Sequence, residues 1–446
     1  MEYQQKIKRI LASLDQNDQI LKAVALRIDN EALRHAKQFD EEQIFEKNKK
    51  FLDGLPIAVK DIIDLQNYPT VSGSKTRLQN PPATIDASVI KNLKAAGAIP
   101  VVKTQTVEFA IGGWGTNYTL GTPSNPWNTD MPHAPGGSSS GTGVLVGAGI
   151  VPAGLGTDTG GSIRIPASFC GCVGLKTSIG SVSRAGVTPL SETLDTIGPI
   201  TQSVEIAAQM FQVMQGPDIK DKTTYGYRHQ NVLRDLKKGI SGMRLGVLNV
   251  DEMPHLSTEV LDCFNDAIDV LRDLGASLVP FSLPKSLDYY ETCNMIISAV
   301  EGYTTYQAIV EDINSELAGP NRERLKRGKD ITAHEFKSTM RMRDLDHVEM
   351  EIAMDLLDAI VLPTTPITAP PISEVDENSF IMSQHTRVAN FLSMTGLSVP
   401  MKLSSSGMPT GLQILGRQFN DGLVLRIGHA YETARGKITN PYFEFW

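Results

Sequence analysis

Two short motifs in this 446-residue sequence place a serine directly after a pair of glycines, at Gly136–Ser138 and again at Gly160–Ser162. Glycine lets main-chain N–H groups crowd around a developing oxyanion, and serine supplies a hydroxyl that can attack a carbonyl carbon. Acyl transfer needs both features in one place. One such motif alone is typical of a tight turn, so it is the repetition that predicts a serine hydrolase.

Ser162 follows the turn Thr157–Gly161, in which four consecutive backbone N–H groups could form an anion-binding nest. The earlier motif also matches the pattern G-x-S-x-G at Gly137–Gly141, which would make Ser139 the nucleophile of an α/β-hydrolase elbow. That elbow requires a strand immediately before it, and Met131–Pro135 contains two prolines that disfavour a strand. The sequence therefore disfavours Ser139 as the nucleophile of such an elbow.

A serine hydroxyl is a weak nucleophile at neutral pH, so a base must accept its proton. The chain has eight histidines; His133 lies near Ser138, and most of the others fall in polar helices typical of solvated histidine. Lys60 is the other candidate, because it ends the apolar strand Leu55–Val59, where burial can lower a lysine pKa by up to about 3 to 5 units. A surface lysine, or one paired with the adjacent Asp61, is the competing interpretation.

Apolar strand patterns alternate with helical patterns along the chain, which favours an α/β fold. Strand Leu55–Val59, helix Ala87–Ala96 and strand Ile99–Val102 form one β-α-β repeat, and residues 243–281 contain another. This rhythm predicts a large mixed, mostly parallel twisted β-sheet covered by helices on both faces.

The order of the elements also suggests how the chain is organised. We expect residues 1–446 to form a single domain, in which residues 1–50 are a helical and strand lead-in. Residues 285–357 have a mainly helical pattern and are expected to form a cap or an insertion beside the sheet.

Composition excludes several classes of protein. The chain has 42 basic and 50 acidic residues and a formal net charge of −8, which offers no broad positive surface for nucleic acid. No charge-free apolar run approaches the roughly 18 residues that a membrane span needs. Four cysteines in a chain of this length make neither a disulfide framework nor a paired zinc site. We therefore expect a cytoplasmic protein without a metal site that contacts neither nucleic acid nor membrane directly.

Two further segments have interpretations that only a structure can test. The segment between the lysine strand and the first serine motif carries Phe109, Trp114 and Tyr118, which either wall a substrate pocket or belong to the core. The basic run from Arg322 to Lys329 is most simply a solvated helix face.

Longer motifs around these residues closely resemble the signature of the amidase signature family. The resemblance covers nearly the whole chain. It is carried by Gly54–Asp61, Gly136–Gly141, Gly156–Ala167, Phe169–Lys176, Leu194–Pro199, Leu362–Pro366 and Gly411–Arg417.

The resemblance implies the amidase signature fold, with residues 54–200 as its catalytic core, and a Ser-cisSer-Lys triad that uses no cofactor. Ser162 matches the nucleophile, Ser138 the bridging serine that follows a cis peptide bond, and Lys60 the base. The same resemblance assigns the oxyanion hole to the backbone N–H groups of Thr159, Gly160, Gly161 and Ser162.

Three further residues are expected to support this triad without reacting. Asp158 and Arg164 flank the nucleophile and are expected to pair with each other, which would orient the turn. Ser139, which is adjacent to the bridging serine, is likewise expected to support the triad without reacting.

The expected reaction is hydrolysis of a small-molecule carboxamide through an acyl-serine intermediate, by a chain that could also form a homodimer. Two alternatives come from the same family: the glutamine-hydrolysing A subunit of a transfer-RNA amidotransferase, and a hydrolase of urea-derived carboxylates such as allophanate. The A subunit typically has glutamine after the matching arginine, where this chain has Ile165. A catalytically silent binding scaffold is the alternative from another class, and the presence of Lys60, Ser138 and Ser162 speaks against it.

Overall fold

An 11-stranded β-sheet runs through the part of the chain that the computed structural model describes, residues 2–44, 50–438 and 440. In spatial order the strands are β1-β3-β2-β4-β6-β5-β10-β11-β9-β7-β8. Their bounds are β1 Val24–Arg27, β2 Pro56–Lys60, β3 Ile99–Thr104, β4 Ala153–Asp158, β5 Val173–Lys176, β6 Thr196–Thr201, β7 Arg244–Leu248, β8 Ser277–Phe281, β9 Ala359–Pro363, β10 Thr395–Pro400 and β11 Gly411–Gly416.

Helices of 5 to 25 residues connect and cover these strands. Their bounds are α1 Glu2–Leu21, α2 Asp29–Ile44, α3 Ser88–Ala95, α4 Ser140–Gly147, α5 Arg164–Cys170, α6 Val204–Met214, α7 Thr258–Asp273, α8 Leu287–Glu311, α9 Gly319–Asp330, α10 Ala333–Ala353, α11 Arg387–Phe391 and α12 Asp421–Arg435. None of the helices in the described ranges is long and apolar enough to cross a bilayer.

The predicted β-α-β repeat lies at the centre of the sheet's first half. Strand β2 runs parallel to β3 on one side and to β4 on the other. All residues of these three strands are buried, as expected for parallel strands covered on both faces. This arrangement places the carboxyl ends of β2 and β4, and hence Lys60 and Thr157, at the same edge of the sheet.

The sheet is mixed, as predicted, but the expectation that it is mostly parallel is wrong. Of the ten strand pairings among the described residues, six are antiparallel and four are parallel. Two of the antiparallel pairings arise where β6 inserts between β4 and β5, and the other four involve β1, β10 and β11. The β6 segment contains Gly198 and Pro199, which local sequence patterns do not associate with a central strand.

The N-terminal lead-in and the segment before β9 are both largely helical in the described residues. Apolar residues of α1 at Ile7, Ile10, Leu11 and Leu14 are buried, while β1 adds an edge strand by pairing with β3. Residues 45–49 of the lead-in lie outside the described residues. Between β8 and β9, residues 285–357 are mainly helical and contain α8, α9 and α10.

Candidate active site

Lys60 ends strand β2 and is completely buried. Its side-chain nitrogen Nζ donates hydrogen bonds to Ser138 Oγ at 2.7 Å and to Thr157 Oγ1 at 2.8 Å. Thr157 comes from the neighbouring parallel strand β4, and Ser138 comes from the loop that precedes α4. The fold thus brings the lysine into contact with the first of the two Gly-Gly-Ser serines, 78 residues away in sequence.

Burial lowers the pKa of Lys60 to about 7, because removal from water penalises the charged ammonium. The negative charges of Asp195 and Asp158 act in the opposite direction without cancelling this shift. At pH 7 about half of the molecules then hold a neutral amine with a free lone pair. In that form the contact with Ser138 can run from its hydroxyl to Nζ, which is the direction a general base requires.

The structure also shows the contacts of Asp61 and His133, the other residues considered in the search for the base. The carboxylate of Asp61 forms its ion pair with Lys103 at 2.7 Å. The His133 ring nitrogen Nδ1 donates a hydrogen bond to the carbonyl oxygen of Met131 at 2.8 Å. Among the described contacts, Lys60 is therefore the titratable side chain that touches Ser138.

The two serine motifs meet through the main chain. The peptide bond between Gly137 and Ser138 is cis, the geometry that the family resemblance implied. The Ser138 carbonyl oxygen accepts a hydrogen bond from Thr106 Oγ1 at 2.9 Å. The next residue, Ser139, donates its N–H to the carbonyl oxygen of Ser162 at 3.2 Å. The backbone around the bridging serine is thereby fixed against the backbone of the predicted nucleophile.

The Ser139 side chain braces this junction. Its hydroxyl is fully buried, accepts the N–H of Thr157 at 3.3 Å and donates to the carbonyl oxygen of Thr157 at 3.4 Å. A hydroxyl held in this way connects the first serine motif to strand β4. Ser139 lines neither of the two cavities next to the site.

Asp158 and Arg164 form the buried ion pair that the sequence predicts. Arg164 Nη2 and Nε donate to the two oxygens of Asp158 at 2.9 and 3.0 Å, and both side chains are inaccessible to solvent. Arg164 also donates to Asn390 Oδ1 and to the carbonyl oxygen of Thr386. Burial alone would raise the pKa of Asp158, but the Arg164 guanidinium outweighs it and holds that pKa well below the ordinary value. Asp158 is therefore charged at all working pH values.

The turn between Asp158 and Ser162 holds the predicted oxyanion donors, with one change. The Gly161 N–H already donates to Asp158 Oδ1 at 2.7 Å, so it is committed to shaping the turn. This leaves the N–H groups of Thr159, Gly160 and Ser162 as the donors to be considered for an oxyanion. Gly161 has a φ of +128°, a conformation that residues with a side chain rarely adopt.

A cavity of about 110 Å³ opens beside Ser162. One of its walls is formed by Ser162 together with Thr159, Gly160 and Ile165. Helices α8 and α9 and the segment 380–387 supply much of the opposite wall. Its polar and aromatic members are Asn294, Ser298, Arg324, Arg327, Phe380, Ser383 and Arg387. A second cavity of about 390 Å³ lies next to Thr159 and includes Asp195, which accepts a 2.5 Å hydrogen bond from Thr159 Oγ1.

The aromatic residues expected to wall the pocket do not line the cavity beside Ser162. Phe109 is buried with its ring centroid 4.4 Å from that of Tyr306. Trp114 is buried in an apolar cluster and donates its indole N–H to the carbonyl oxygen of Asp376. Tyr118 is 54% exposed. The core interpretation therefore holds for Phe109 and Trp114, and Tyr118 belongs to the surface.

The structure also changes the interpretation of the basic run on α9. Arg324 is only 11% exposed, and both Arg324 and Arg327 line the cavity, so this is not simply a solvated helix face. Arg387 and Asn294 are further cavity residues that sequence reasoning missed. The spacing within α9 was the one available signal, because Arg324 and Arg327 are three positions apart and share a helix face.

The described residues contain no group of three or more histidine, cysteine, aspartate or glutamate side chains placed to hold a metal ion. The four cysteines are all buried as free thiols.

Comparison with known proteins matches the chain over almost its whole length. A family model described as Amidase matches residues 5–425. The A subunit of the glutamyl-tRNA(Gln) amidotransferase of Bacillus velezensis is 35% identical over 454 residues, covering 96% of this chain and 92% of that protein.

Two solved structures illustrate the range of proteins with this fold. An inhibitor-bound structure of a vestigial protein complex, which concerns the origins of an s-triazine catabolic enzyme, has a TM-score of 0.90 and 30% identity, covering 96% of this chain and 94% of that one. The peptide amidase of Stenotrophomonas maltophilia has a TM-score of 0.86 and 28% identity, covering 99% and 95% of the two chains.

Proposed function

This chain belongs to the amidase family and has the amidase signature fold, and on that premise we propose that it hydrolyses a small-molecule carboxamide through an acyl-serine intermediate. Members of this family hydrolyse amide bonds, so the general reaction class follows from membership. The proposal adds the roles of the individual residues and the kind of substrate.

The observation that carries the proposal is the contact between a buried lysine and the bridging serine. Lys60 Nζ lies 2.7 Å from Ser138 Oγ, and its pKa is lowered to about 7. A fully buried amine that no carboxylate of the described residues contacts is costly to the folded chain, which argues for a chemical role. Ser162, on the adjoining turn, is 8% exposed and faces the cavity where a substrate could enter.

In the proposed first step, Ser162 Oγ attacks the amide carbonyl carbon while its proton moves to Ser138, whose own proton moves to neutral Lys60. The carbonyl electron pair moves to oxygen, where the N–H groups of Thr159, Gly160 and Ser162 would stabilise the negative charge. The C–N bond then breaks, and the departing nitrogen takes the proton back from Lys60 through Ser138. The products of this stage are ammonia or an amine and an ester on Ser162.

Water completes the cycle in the second step. It attacks the Ser162 ester while passing a proton along the same path to Lys60, and collapse of the tetrahedral intermediate breaks the bond to Ser162 Oγ. That oxygen recovers a proton through Ser138. The net reaction consumes one water and converts the amide to a carboxylic acid and ammonia or an amine, which exchange a proton in solution to give a carboxylate and an ammonium ion, with the enzyme returned to its starting state.

The relatives favour a second candidate, hydrolysis of glutamine as part of a tRNA-dependent amidotransferase. The support is the 35% identity to the Bacillus velezensis protein over 96% of this chain. Ile165, which lines the cavity, argues in the other direction, since that position is typically glutamine in the amidotransferase proteins. The two candidates share the same bond-breaking chemistry and differ in substrate and in dependence on partner subunits.

The test is ammonia release by the purified chain from a panel of primary amides that includes glutamine. We expect turnover of at least one amide by the isolated chain and its loss in Ser162→Ala. Ser140→Ala is a matched control, because the buried Ser140 hydroxyl has no hydrogen-bond partner among the described residues and its removal breaks none of the contacts above. Glutamine hydrolysis that appears only with partner subunits and charged tRNA would support the second candidate.

A chain that hydrolyses no amide or ester under either condition would contradict both candidates and favour a binding scaffold. Equal loss of activity in Ser140→Ala and Ser162→Ala would contradict the assignment of Ser162 as the nucleophile.

A further inference from the structure

The charged side chains that line the cavity beside Ser162 are all positive. They are Arg324, Arg327 and Arg387, and no aspartate or glutamate of the described chain lines the same cavity. The adjoining larger cavity, by contrast, is lined by charged residues of both signs. The space in contact with the nucleophile therefore has a distinct electrostatic character.

Two of these arginines need no ligand to explain them. Arg324 donates to Glu377 Oε2 at 2.6 Å and to the carbonyl oxygen of Ile111 at 3.0 Å, so its charge is neutralised within the fold. Arg327 is exposed, and water can solvate its guanidinium at the mouth of the cavity.

Arg387 differs from both because it is 12% exposed and incompletely neutralised. Its Nε donates to Ser383 Oγ at 3.0 Å and its Nη1 to Asn294 Oδ1 at 2.7 Å, both uncharged acceptors. Glu291, its ion-pair partner, is 3.9 Å away, and burial raises the pKa of that carboxyl. Nη2 makes no hydrogen bond to any of the described residues. Burial also lowers the pKa of Arg387, so an anion in the cavity would relieve the cost of holding its charge there.

Arg387 is held directly against the turn that would bind the oxyanion. A Cβ atom built on Gly160 would lie 3.2 Å from Arg387 Nη1, which shows how closely the guanidinium approaches this turn. Asn294 links the two, since its Nδ2 also donates to the carbonyl oxygen of Thr159 at 3.2 Å. Phe380 supports the other side, with its ring centroid 5.4 Å from the guanidinium carbon. The position of Arg387 relative to the reacting carbonyl is thus fixed by several neighbours.

We propose that the substrate carries a carboxylate as well as the amide, and that Arg387 binds this carboxylate while Ser162 attacks the amide carbonyl. The inference rests on the proposed amide hydrolysis and names its substrate class, a short amido acid. A guanidinium with a free Nη2 offers the planar, charge-assisted donor that carboxylate recognition uses. Glutamine belongs to this class, and so do simpler acids such as succinamate.

The experiment compares two substrates of nearly equal size, succinamate and its neutral diamide succinamide. For the unaltered chain we expect kcat/KM to be at least about tenfold higher for succinamate, and Arg387→Met should remove most of that preference by raising KM for succinamate. Arg387→Lys keeps the positive charge but lacks the planar, two-pronged guanidinium, so it should retain part of the preference for succinamate. Arg272→Met, at an exposed arginine of α7, is the matched control and should keep the full preference.

A binding measurement separates failure of this inference from failure of the proposed function. Calorimetric titration of succinate into Ser162→Ala protein reports carboxylate binding without any turnover. Binding that is lost with Arg387→Met in that background supports the inference even if no amide is hydrolysed. Equal kcat/KM for succinamate and succinamide in the unaltered chain would overturn it, whether or not the arginine variants fold.

A second, independent observation concerns the outer face of α10. Apolar side chains at Met342, Leu345, Val348 and Ile352 are 39% to 70% exposed, and Leu356 in the following turn is 71% exposed. Their spacing of three and four residues places them in one stripe along the helix. A solvent-exposed stripe of this length is typical of an interface.

Charged residues at the two ends of this apolar stripe indicate which kind of partner covers it, namely a second copy of the chain. Arg341 is exposed at one end and Asp355 at the other, and neither forms an ion pair with any of the described residues. If a second copy packs antiparallel with its two-fold axis near Val348, Arg341 faces Asp355 of the other copy. Leu345 and Ile352 face each other about an axis roughly half a residue further along the helix, so the apolar and the charged contacts agree on the position of the axis to within about half a residue.

We infer that α10 pairs with α10 of a second copy of this chain to form a symmetric dimer. Light scattering after size-exclusion chromatography should give twice the chain mass. Arg341→Asp and Asp355→Arg should each weaken the dimer by placing like charges together, and the double variant should restore it. Arg272→Asp is the control reversal at another exposed arginine.

A monomeric unaltered chain at micromolar concentration would overturn this second inference. A dimer that is indifferent to both single reversals would equally overturn it, because its interface would lie elsewhere. Far-ultraviolet circular dichroism of each variant shows whether the fold is retained, and Leu345→Ser with Ile352→Ser provides a second way to disrupt the stripe.

Discussion

The pH dependence of hydrolysis follows directly from the burial of Lys60. If the neutral amine is the base and its pKa is about 7, the competent fraction is about one-half at pH 7, about one-eleventh at pH 6 and about one-hundredth at pH 5. We therefore expect kcat/KM to fall about tenfold for each pH unit below neutrality and to level off above about pH 8. The sign is fixed by the chemistry, since protonation removes the lone pair that accepts the serine proton.

The assay is initial-rate ammonia release between pH 5 and pH 9 at constant ionic strength, with the fold monitored by circular dichroism at each pH. A second buried lysine provides the necessary control. Burial also lowers the pKa of Lys176 to about 7, but its Nζ donates to the carbonyl oxygens of Thr177 and Met394, away from both serines. Lys176→Met should therefore keep the acid limb in the same place, provided that the variant folds.

Two results would refute this reasoning. A kcat/KM that is flat from pH 5 to pH 9 would show that no group with a pKa near 7 acts as the base. An acid limb that disappears in Lys176→Met while Lys60→Met retains it would show that Lys176, and not Lys60, is the titrating group.

Three further predictions test the parts of the site. Lys60→Met should lower kcat/KM by about 10²- to 10⁴-fold or more, measured by ammonia release, and near-native rates would place the base elsewhere. Asp195→Asn should move the acid limb to lower pH, because the Asp195 charge raises the pKa of Lys60. An acid limb at the same pH in this variant would mean that the Asp195 charge does not affect the pKa of the base. Gly161→Ala should cost on the order of 3 kcal/mol of unfolding free energy and reduce kcat, since its Cβ would overlap Thr386 Oγ1 at a φ of +128°. Gly121→Ala, also at positive φ but with open space around it, should cost less in chemical denaturation, and equal costs would contradict the packing argument.

The central part of this site could be predicted from sequence because its signals are local. A lysine at the end of an apolar strand and two Gly-Gly-Ser motifs each carry a recognisable pattern within a few residues. The parallel pairing of β2 with β3 followed from the same kind of reasoning, because short strands and a crossover helix alternate there, whereas the pairing of β2 with β4 was not predicted.

Strand β6 and its antiparallel pairings were missed for a physical reason. In β6, Gly198 and Pro199 have poor strand propensity, and the segment is a strand because of what it packs between. Leu175 of the neighbouring strand approaches Gly198 so closely that a Cβ would overlap its carbonyl oxygen. Such a requirement arises from tertiary packing and leaves no periodic pattern in the sequence.

The substrate wall was missed because its residues are far apart in the chain. Arg387 lies 225 positions after Ser162, in a segment without a charged pattern, and only the fold places it against the turn. The basic run that contains Arg324 was recognised in the sequence, but its role could not be decided there. A run of basic residues on a helix is consistent with a solvent-exposed face until the packing of that helix is known. For Phe109 and Trp114 the sequence left a pocket wall and the core as alternatives, and in the structure both side chains pack in the core.

The most direct test of the proposed mechanism is to find which atom carries the covalent intermediate. A fluorophosphonate that reacts with activated serines should add once to the unaltered chain, and peptide mass spectrometry should place the adduct on Ser162. Labelling should be much slower in Lys60→Met, because the base that activates the hydroxyl is gone. An adduct on Ser138, Ser139 or another residue, or labelling as fast without Lys60 as with it, would contradict the mechanism.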